Sequence, residues 1–471
     1  MVFPTLQFVL FFAVVLAVNT ALMPRGEGAE SHTRRGLRKG FLIAASYTFY
    51  AAWDWRFCFL MAGVSLVAYA AGRGVRSNHG RLIKVAAIVA MIGVLGVFKY
   101  FGFFLLSLQQ LLDTVGLGRD MGWMRIVLPV GISFYTFQAI SYVMDVSRGE
   151  IAPRKNPFDV ALYISFFPQL VAGPIVRASH FLPQIDRPYA VDARMRGAAV
   201  VLILSGLFKK MVVANYLSVL VVDPVFGFPE GQGMVATVAA VLGYGIQIYC
   251  DFSGYSDIAI GIALLLGYRF NRNFNQPYRA DGLSDFWRRW HMSLSSWIRD
   301  YLYIPLGGSR GSSAQTILVI LTAMTLAGLW HGAGWNFLAW GALHGAGLVM
   351  ERAGRAAGWL MPRLVSIVLT LMFVHLLWIP FRASTFSETL DILAALARAE
   401  GVAPVALTPQ VWILIAIGLG MNWLPLGWRD RAEARVVALP AAVQAMVLAA
   451  GTLFCFALAQ DGVAPFIYFQ F

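Results

Sequence analysis

The sequence predicts an all-α, polytopic integral membrane protein with roughly eleven transmembrane helices and additional re-entrant and interfacial helices. Three observations carry that expectation. The 471 residues are 59% hydrophobic and 13% charged, with a mean hydropathy of +0.67. That is about half the charge of an ordinary soluble domain. Apolar runs of about 20 residues recur along the whole chain with short loops between them, so the length accommodates about ten to thirteen crossings. This makes 1–471 a single integral membrane domain with no large soluble part. Finally, 37 Lys+Arg stand against 24 Asp+Glu, a balance of +13. In a membrane protein this excess belongs to basic cytoplasmic loops and anionic lipid, which argues against a nucleic-acid partner. Cys58, Cys250 and Cys455 are odd in number and far apart. They form neither a disulfide framework nor a metal motif and read as small apolar residues.

Taken in order, the first apolar run, 5–23, has no basic residue before it and Arg25, Arg34, Arg35, Arg38 and Lys39 after it. It therefore reads as a retained helix and not a signal peptide, with the N-terminus outside the cytoplasm. The stretch 41–71 is long enough for two crossings, and its far flank (Arg73, Arg76, Arg81, Lys84) is also basic. Two basic flanks predict a hairpin with Trp53, Asp54 and Trp55 at its outer turn, where Trp favours the headgroup layer. Further runs fall at 83–99, 101–117, 156–175, 197–222, 232–249, 255–268, 314–330, 335–350, 364–381, 409–425 and 438–459. Some of these are too short to span. No internal repeat is evident, which counts against an inverted-repeat transporter.

Polar and helix-breaking residues enter this apolar body at a few places. Pro129 and Gly131 open a segment carrying Phe134, Tyr135, Phe137 and Tyr142, an aromatic face that suits a packing helix. Pro168, Gly173 and Pro174 mark a second break. Between two apolar runs lie Asp251, Tyr255 and Asp257, with Gly254 permitting close backbone approach. A carboxylate within a bilayer costs about 2.5 kcal/mol or more unless it meets a cavity or a partner. The pair is either a hydrogen-bonded knot between helices or part of the chemistry, and Arg269, Arg272 and Arg279 are the partners nearest in sequence.

The densest constellation begins at Asn273 and Gln276 and runs through Asp285, Arg288, Arg289 and His291 to Tyr301. Ser284 suits an N-cap, and Asp285 suits the positive end of the helix dipole. Trp287, Trp290, Leu294, Trp297, Ile298 and Tyr301 recur at helical spacing. One amphipathic helix, too charged to span, is the expectation, with His291 enclosed near its aromatic side. Downstream, an apolar helix over 317–330 ends in Trp330 and His331, followed by Gly332, Gly334 and Asn336. An ionisable ring at the end of a membrane helix, beside flexible backbone, is a functional-site candidate. Burial disfavours the charged form of an imidazole, so an enclosed histidine can accept a proton at neutral pH. His344 and His375 are further buried candidates, and none of the histidine spacings matches a metal motif.

Five stretches together resemble the membrane-bound O-acyltransferase family, and within it the bacterial branch that acetylates polysaccharides such as alginate. They are LPVGISFYTFQAISY at 128–142, FPQLVAGPI at 167–175, YCDFSGYSDIA at 249–259, DFWRRWHMSLS at 285–295 and LWHG at 329–332. They occur in the family's order over about 40–350; the helices of about 355–471 are only generically similar. The resemblance implies a helical body around a membrane-spanning cavity, in which a cytoplasmic acyl donor meets an acceptor arriving from the other side. It places the family's catalytic histidine at His331 and its second position at His291, both lining that cavity. Asp251, Tyr255, Asp257, Asn273, Gln276, Asp285, Arg288, Arg289, Trp330 and Asn336 would support or line it.

The resemblance further implies an acetyltransferase of a bacterial inner membrane, using acetyl-CoA as a substrate with no permanently bound cofactor and no metal. Periplasmic relay proteins would complete O-acetylation of an exopolysaccharide, alginate or a similar polymer. His331 would take the hydroxyl proton, while His291 would orient the acceptor or donate to the oxyanion. Arg288, Arg289, Arg299 and the Lys209-Lys210 pair are candidates for the donor's phosphates, with interfacial anchoring as their alternative role. The competing readings are D-alanyl transfer to teichoic acids, acetylation of another polymer such as cellulose, a transporter coupled through Asp251 and Asp257, and an assembly scaffold.

Overall fold

The computed structural model describes residues 3–24, 29–118, 126–171, 173–359 and 361–459. Arg25 of the first basic flank and Ala172 of the 167–175 stretch lie outside the described residues. Every regular element among the described residues is helical. Among the described residues seven helices are long and apolar enough to cross a bilayer, or eight if Pro409–Trp423 and Trp428–Val437, bent by 89°, form one broken span. Part of the difference from the roughly eleven crossings expected lies in runs that merge. The 83–99 and 101–117 runs form one helix, Gly80–Thr114, through a π-turn at Gly96–Tyr100. The 232–249 and 255–268 runs form Met234–Leu265. Polar residues lower hydropathy locally, but without proline the backbone ladder continues through them.

The chain divides into two compact units, one comprising Met1–Val191 with Ala263–Phe270, the other Asp192–Ile262 with Asn271–Phe471. In the first, Ala29–Asp54 and Arg56–Gly74 form the expected hairpin, broken at Trp55. Asp54 closes its tip by accepting from Arg56 Nη2 at 2.6 Å. Arg38 is buried in the same unit and donates to Asn19 at 2.8 Å and to the Leu266 carbonyl at 2.5 Å. Ile132–Arg148 starts directly after Gly131, whose φ is +75°, so the break read from Pro129 and Gly131 is real. A single helical turn, Phe167–Leu170, occupies the second break.

The second unit is built around Met234–Leu265, 83% of whose most apolar window is buried, whereas only 11% of that of Ala441–Leu458 is. The first is therefore an interior helix and the second an outer one. Against the interior helix runs Ala193–Gly227, which contains two π-turns, Phe208–Ala214 and Ser218–Val222. Their backbones approach at Gly206 and Gly254: a Cβ on Gly206 would lie 2.5 Å from the Gly254 carbonyl oxygen, and one on Gly254 would lie 2.7 Å from that of Gly206. Small residues permit such crossings where lipid gives helices no hydrophobic reason to associate. Gly206→Leu is accordingly expected to deplete folded protein from membranes. Fluorescence-detected size exclusion of detergent extracts checks this, and a wild-type monodisperse peak would overturn it.

Candidate active site

His331 is the last residue of the helix Ser313–His331. Gly332 is extended, and the next helix, Trp335–Ala356, turns back alongside. The two helices pack where Gly328 meets Gly341; a Cβ on Gly341 would lie 3.0 Å from Thr325 Cα and 3.1 Å from Gly328 Cα. The imidazole is 4% exposed and lies edge-on to three aromatic rings: Trp330 at 5.0 Å, Trp340 at 5.1 Å and Phe381 at 5.3 Å between centroids.

A cavity of about 370 Å³ opens onto this ring. Its walls include Trp287, Trp340, Leu294, Ile298, Ala323 and Ala327, together with three guanidinium side chains, Arg288, Arg299 and Arg352. Arg352 and Trp340 share one helix, so at 1.5 Å per residue the lining positions on it span about 18 Å. Arg299 also pairs with Asp300 at 2.7 Å. The result is a long, mostly apolar chamber with positive charge in its wall and a histidine within reach.

His291 occupies a different local structure from the one its spacing suggests. The expected single amphipathic helix is two helices, Leu283–Arg289 and Met292–Ile298, followed by a π-turn at Arg299–Tyr303. His291 sits at the break in a left-handed conformation, φ +41° and ψ +54°. The cause is tertiary: the Met292 amide donates to the Asn273 carbonyl at 2.8 Å, and the Asn275 amide donates to the Arg289 carbonyl at 2.9 Å. These bonds pull the chain out of its helix and tie it to the 273–275 segment. Ser284 is not the N-cap either; Gly282 is, and the Ser284 amide is satisfied by Glu351 at 3.0 Å. Asp285 does lie in the first turn and accepts from Arg289 at 2.8 Å.

The His291 ring is 1% exposed, between Phe252 at 4.6 Å, Phe274 at 6.4 Å and Trp330 at 6.1 Å. Burial in this apolar setting lowers its pKa to about 3, so the ring is neutral at physiological pH. The Trp330 indole thus touches both histidines. Asn273 accepts from Ser293 Oγ at 2.8 Å, faces His291 Nδ1 at 3.2 Å and donates to Ser256 Oγ at 3.1 Å.

The carboxylates of the interior helix are partnered, but not by Arg269, Arg272 or Arg279. Lys210 Nζ lies 2.5 Å from Asp251, and Asp257 receives both Lys209 at 2.5 Å and Arg429 at 3.0 Å. Lys209 and Lys210 are therefore committed to these pairs and not held out as phosphate ligands. Arg289 is likewise engaged, with Asp285. Arg272 instead approaches Asp430 at 3.5 Å, and Arg279 lies over Trp423. Gln276 donates to the Leu424 carbonyl and lines a second cavity with Lys209, Tyr249 and Arg429. Tyr255 is fully buried. Asn336 donates to the Ala383 carbonyl at 2.8 Å, tying two helix ends together. His344 and His375 each bond the carbonyl four residues back, at 3.0 and 2.8 Å, as buried packing residues do.

Of the residues singled out in the sequence as catalytic or donor-binding candidates, His331, Arg288 and Arg299 line the arginine-bearing cavity, and Trp330 joins His331 to His291. Asp251, Asp257 and Asn336 lie in supporting networks instead. Sequence reasoning missed Trp340, Arg352 and Arg429. Trp340 and Arg352 lie together on the helix that follows His331, whereas nothing local marks Arg429 as the partner of a carboxylate 172 residues away.

A helical membrane body carrying an enclosed histidine beside a basic-walled chamber is the architecture of a membrane-embedded transferase. The chain belongs to the membrane-bound O-acyltransferase family, whose profile matches residues 152–357. It is 41% identical over 353 residues to the probable alginate O-acetylase AlgI of Pseudomonas aeruginosa, covering 74% of this chain and 67% of that protein. It is 34% identical to the peptidoglycan O-acetyltransferase of Helicobacter pylori, over 77% of this chain and 74% of the relative. The teichoic acid D-alanyltransferase of Bacillus subtilis is 24% identical, over 52% of this chain and 66% of the relative. The chain is thus a multi-pass membrane O-acyltransferase.

Proposed function

We propose that this enzyme takes acetyl groups from acetyl-CoA on the cytoplasmic side of a bacterial inner membrane and passes them across for O-acetylation of an exopolysaccharide, alginate. The observation carrying the donor side is the chamber that joins His331 to Arg288, Arg299 and Arg352. A thioester on a long thin arm ending in phosphates suits a mostly apolar chamber whose lining spans about 18 Å of one helix, with guanidinium groups in its wall. The acceptor side is supported by relatives named for alginate acetylation, which are 38–41% identical. Periplasmic relay proteins would carry the acetyl group to the polymer.

In this reading His331 accepts the proton of the attacking hydroxyl as its oxygen adds to the thioester carbonyl carbon. The tetrahedral intermediate then expels the thiolate. The C–S bond breaks, the new C–O ester bond remains, and the imidazolium returns its proton to sulfur. The chain's own residues provide the base, the chamber that aligns the donor and the aromatic wall around the imidazole.

The test is steady-state transfer from radiolabelled acetyl-CoA in vesicles containing the protein and its periplasmic partners. Replacing Arg352 and Arg288 together with alanine is expected to raise KM for acetyl-CoA by about tenfold, with kcat within about twofold, as loss of uniform binding requires. Unchanged KM, or transfer only from a phosphopantetheinyl carrier protein, would overturn acetyl-CoA as the donor and favour the D-alanyl type of chemistry.

A further inference from the structure

The polar contacts of Asn273 determine which nitrogen of His291 carries its proton. Proton positions follow from which neighbours can only donate and which can only accept. The Ser293 backbone amide lies 3.2 Å from one terminal atom of the Asn273 side chain, and the Ser293 hydroxyl lies 2.8 Å from the same atom. A backbone N–H can only donate, so that atom is the amide oxygen Oδ1. The other terminal atom is then Nδ2, consistent with its bond to Ser256 Oγ on the interior helix at 3.1 Å.

His291 Nδ1 faces that same Oδ1 at 3.2 Å, and Ser293 Oγ lies 3.4 Å from it. Oδ1 has no proton to give, and the Ser293 hydroxyl already directs its own proton to Oδ1. Both of these neighbours of Nδ1 are therefore acceptors, and Nδ1 must be the protonated nitrogen. A neutral imidazole carries one N–H, which leaves Nε2 with a lone pair. The backbone bond from Met292 to the Asn273 carbonyl holds the two segments together, and His291 beside it is in the left-handed conformation. Histidine tolerates that conformation better than most side chains.

We propose that Asn273 is a positioning residue that locks His291 in the Nδ1–H tautomer, so that His291 meets the reacting groups only as a hydrogen-bond acceptor through Nε2. The inference rests on the transferase reading for its catalytic meaning. It removes one of the two roles expected for His291: an imidazole already donating through Nδ1 has no second proton with which to stabilise an oxyanion. Instead, His291 receives an O–H or N–H donor of the acceptor substrate, distinct from the hydroxyl that surrenders its proton to His331. A vicinal diol, as sugars present, supplies such a second hydroxyl.

The experiment is ¹⁵N NMR of histidine-labelled full-length protein in lipid nanodiscs, with His291 assigned among the seven histidines by its loss in His291→Gln. The wild type is expected to show a protonated Nδ1 and a bare Nε2 at neutral pH. A protonated Nε2 overturns the proposal without any variant. Asn273→Leu is expected to release the tautomer and lower acetyl transfer by about 10²-fold. Asn273→Asp keeps the acceptor oxygen and is expected to restore both the tautomer and most of the rate. An unchanged tautomer and rate in Asn273→Leu, or a tautomer that shifts with no change in transfer, overturns it. The expected tautomer response in a protein that transfers no acetyl group from any donor would instead count against the transferase reading alone, leaving the lock intact.

Discussion

Replacing His331 with alanine is expected to lower acetyl ester on the secreted polysaccharide by about 10²–10⁴-fold, with the protein reaching the membrane in normal amount. The size of the loss follows from the role proposed for His331: without a base at the thioester, the attacking hydroxyl would keep its proton through the transition state. That the protein should survive reflects position. His331 is a helix-terminal residue beside a cavity, and its ring meets Trp330, Trp340 and Phe381 edge-on. Removing it enlarges an existing void, a change in the ordinary range of about 0.5–3 kcal/mol for a point substitution. The measurement is acetyl content in a deletion strain complemented with wild type or His331→Ala, with immunoblots of the membrane fraction. Full acetylation by the variant at equal abundance would remove His331 from catalysis and leave a transport or scaffold role as the better account.

The largest stability effect is expected at the Lys210–Asp251 pair, where the side chains are 2% and 4% exposed and 2.5 Å apart. Lys210→Met leaves the Asp251 carboxylate buried without this ammonium, and breaking a buried pair in this way costs about 3–5 kcal/mol. The double substitution Lys210→Met with Asp251→Leu removes both charges and is expected to recover much of that loss, because the attraction in the native pair largely offsets desolvation of both groups. Arg272→Ala provides the contrast. Its contact with Asp430 is 3.5 Å long, with side chains 55% and 71% exposed, and should contribute about 0–1 kcal/mol. Thermal unfolding of the three variants in detergent separates these outcomes. A Lys210→Met protein as stable as wild type would show that the pair is not holding the lysine-bearing helix to the interior helix.

At this pair local information ends. Two aspartates inside an apolar run announce that partners must exist, because an unpaired carboxylate there is too costly. Which partners they are depends on helix crossing. The arginines nearest in sequence come after the end of the same helix, whereas Lys209, Lys210 and Arg429 arrive across the Gly206–Gly254 contact and from a segment far along the chain. The helix break at His291 has the same origin. Trp287 through Tyr301 is periodic enough to specify one amphipathic helix, and backbone hydrogen bonds with Asn273 and Asn275 interrupt it. By contrast, the hairpin turn at Trp53–Trp55 and the end of a helix at His331 are encoded nearby, in basic flanks, interfacial Trp residues and paired glycines.

Composition, apolar run length and contiguous motifs are local properties, and they suffice for the helical membrane class, the acyltransferase family and the two histidines worth testing. Only the packed helices reveal which cations neutralise Asp251 and Asp257, which arginines share a chamber with His331, and which nitrogen of His291 carries its proton. Each of these depends on distances between side chains that are far apart in the chain, and such distances are set only when the helices pack.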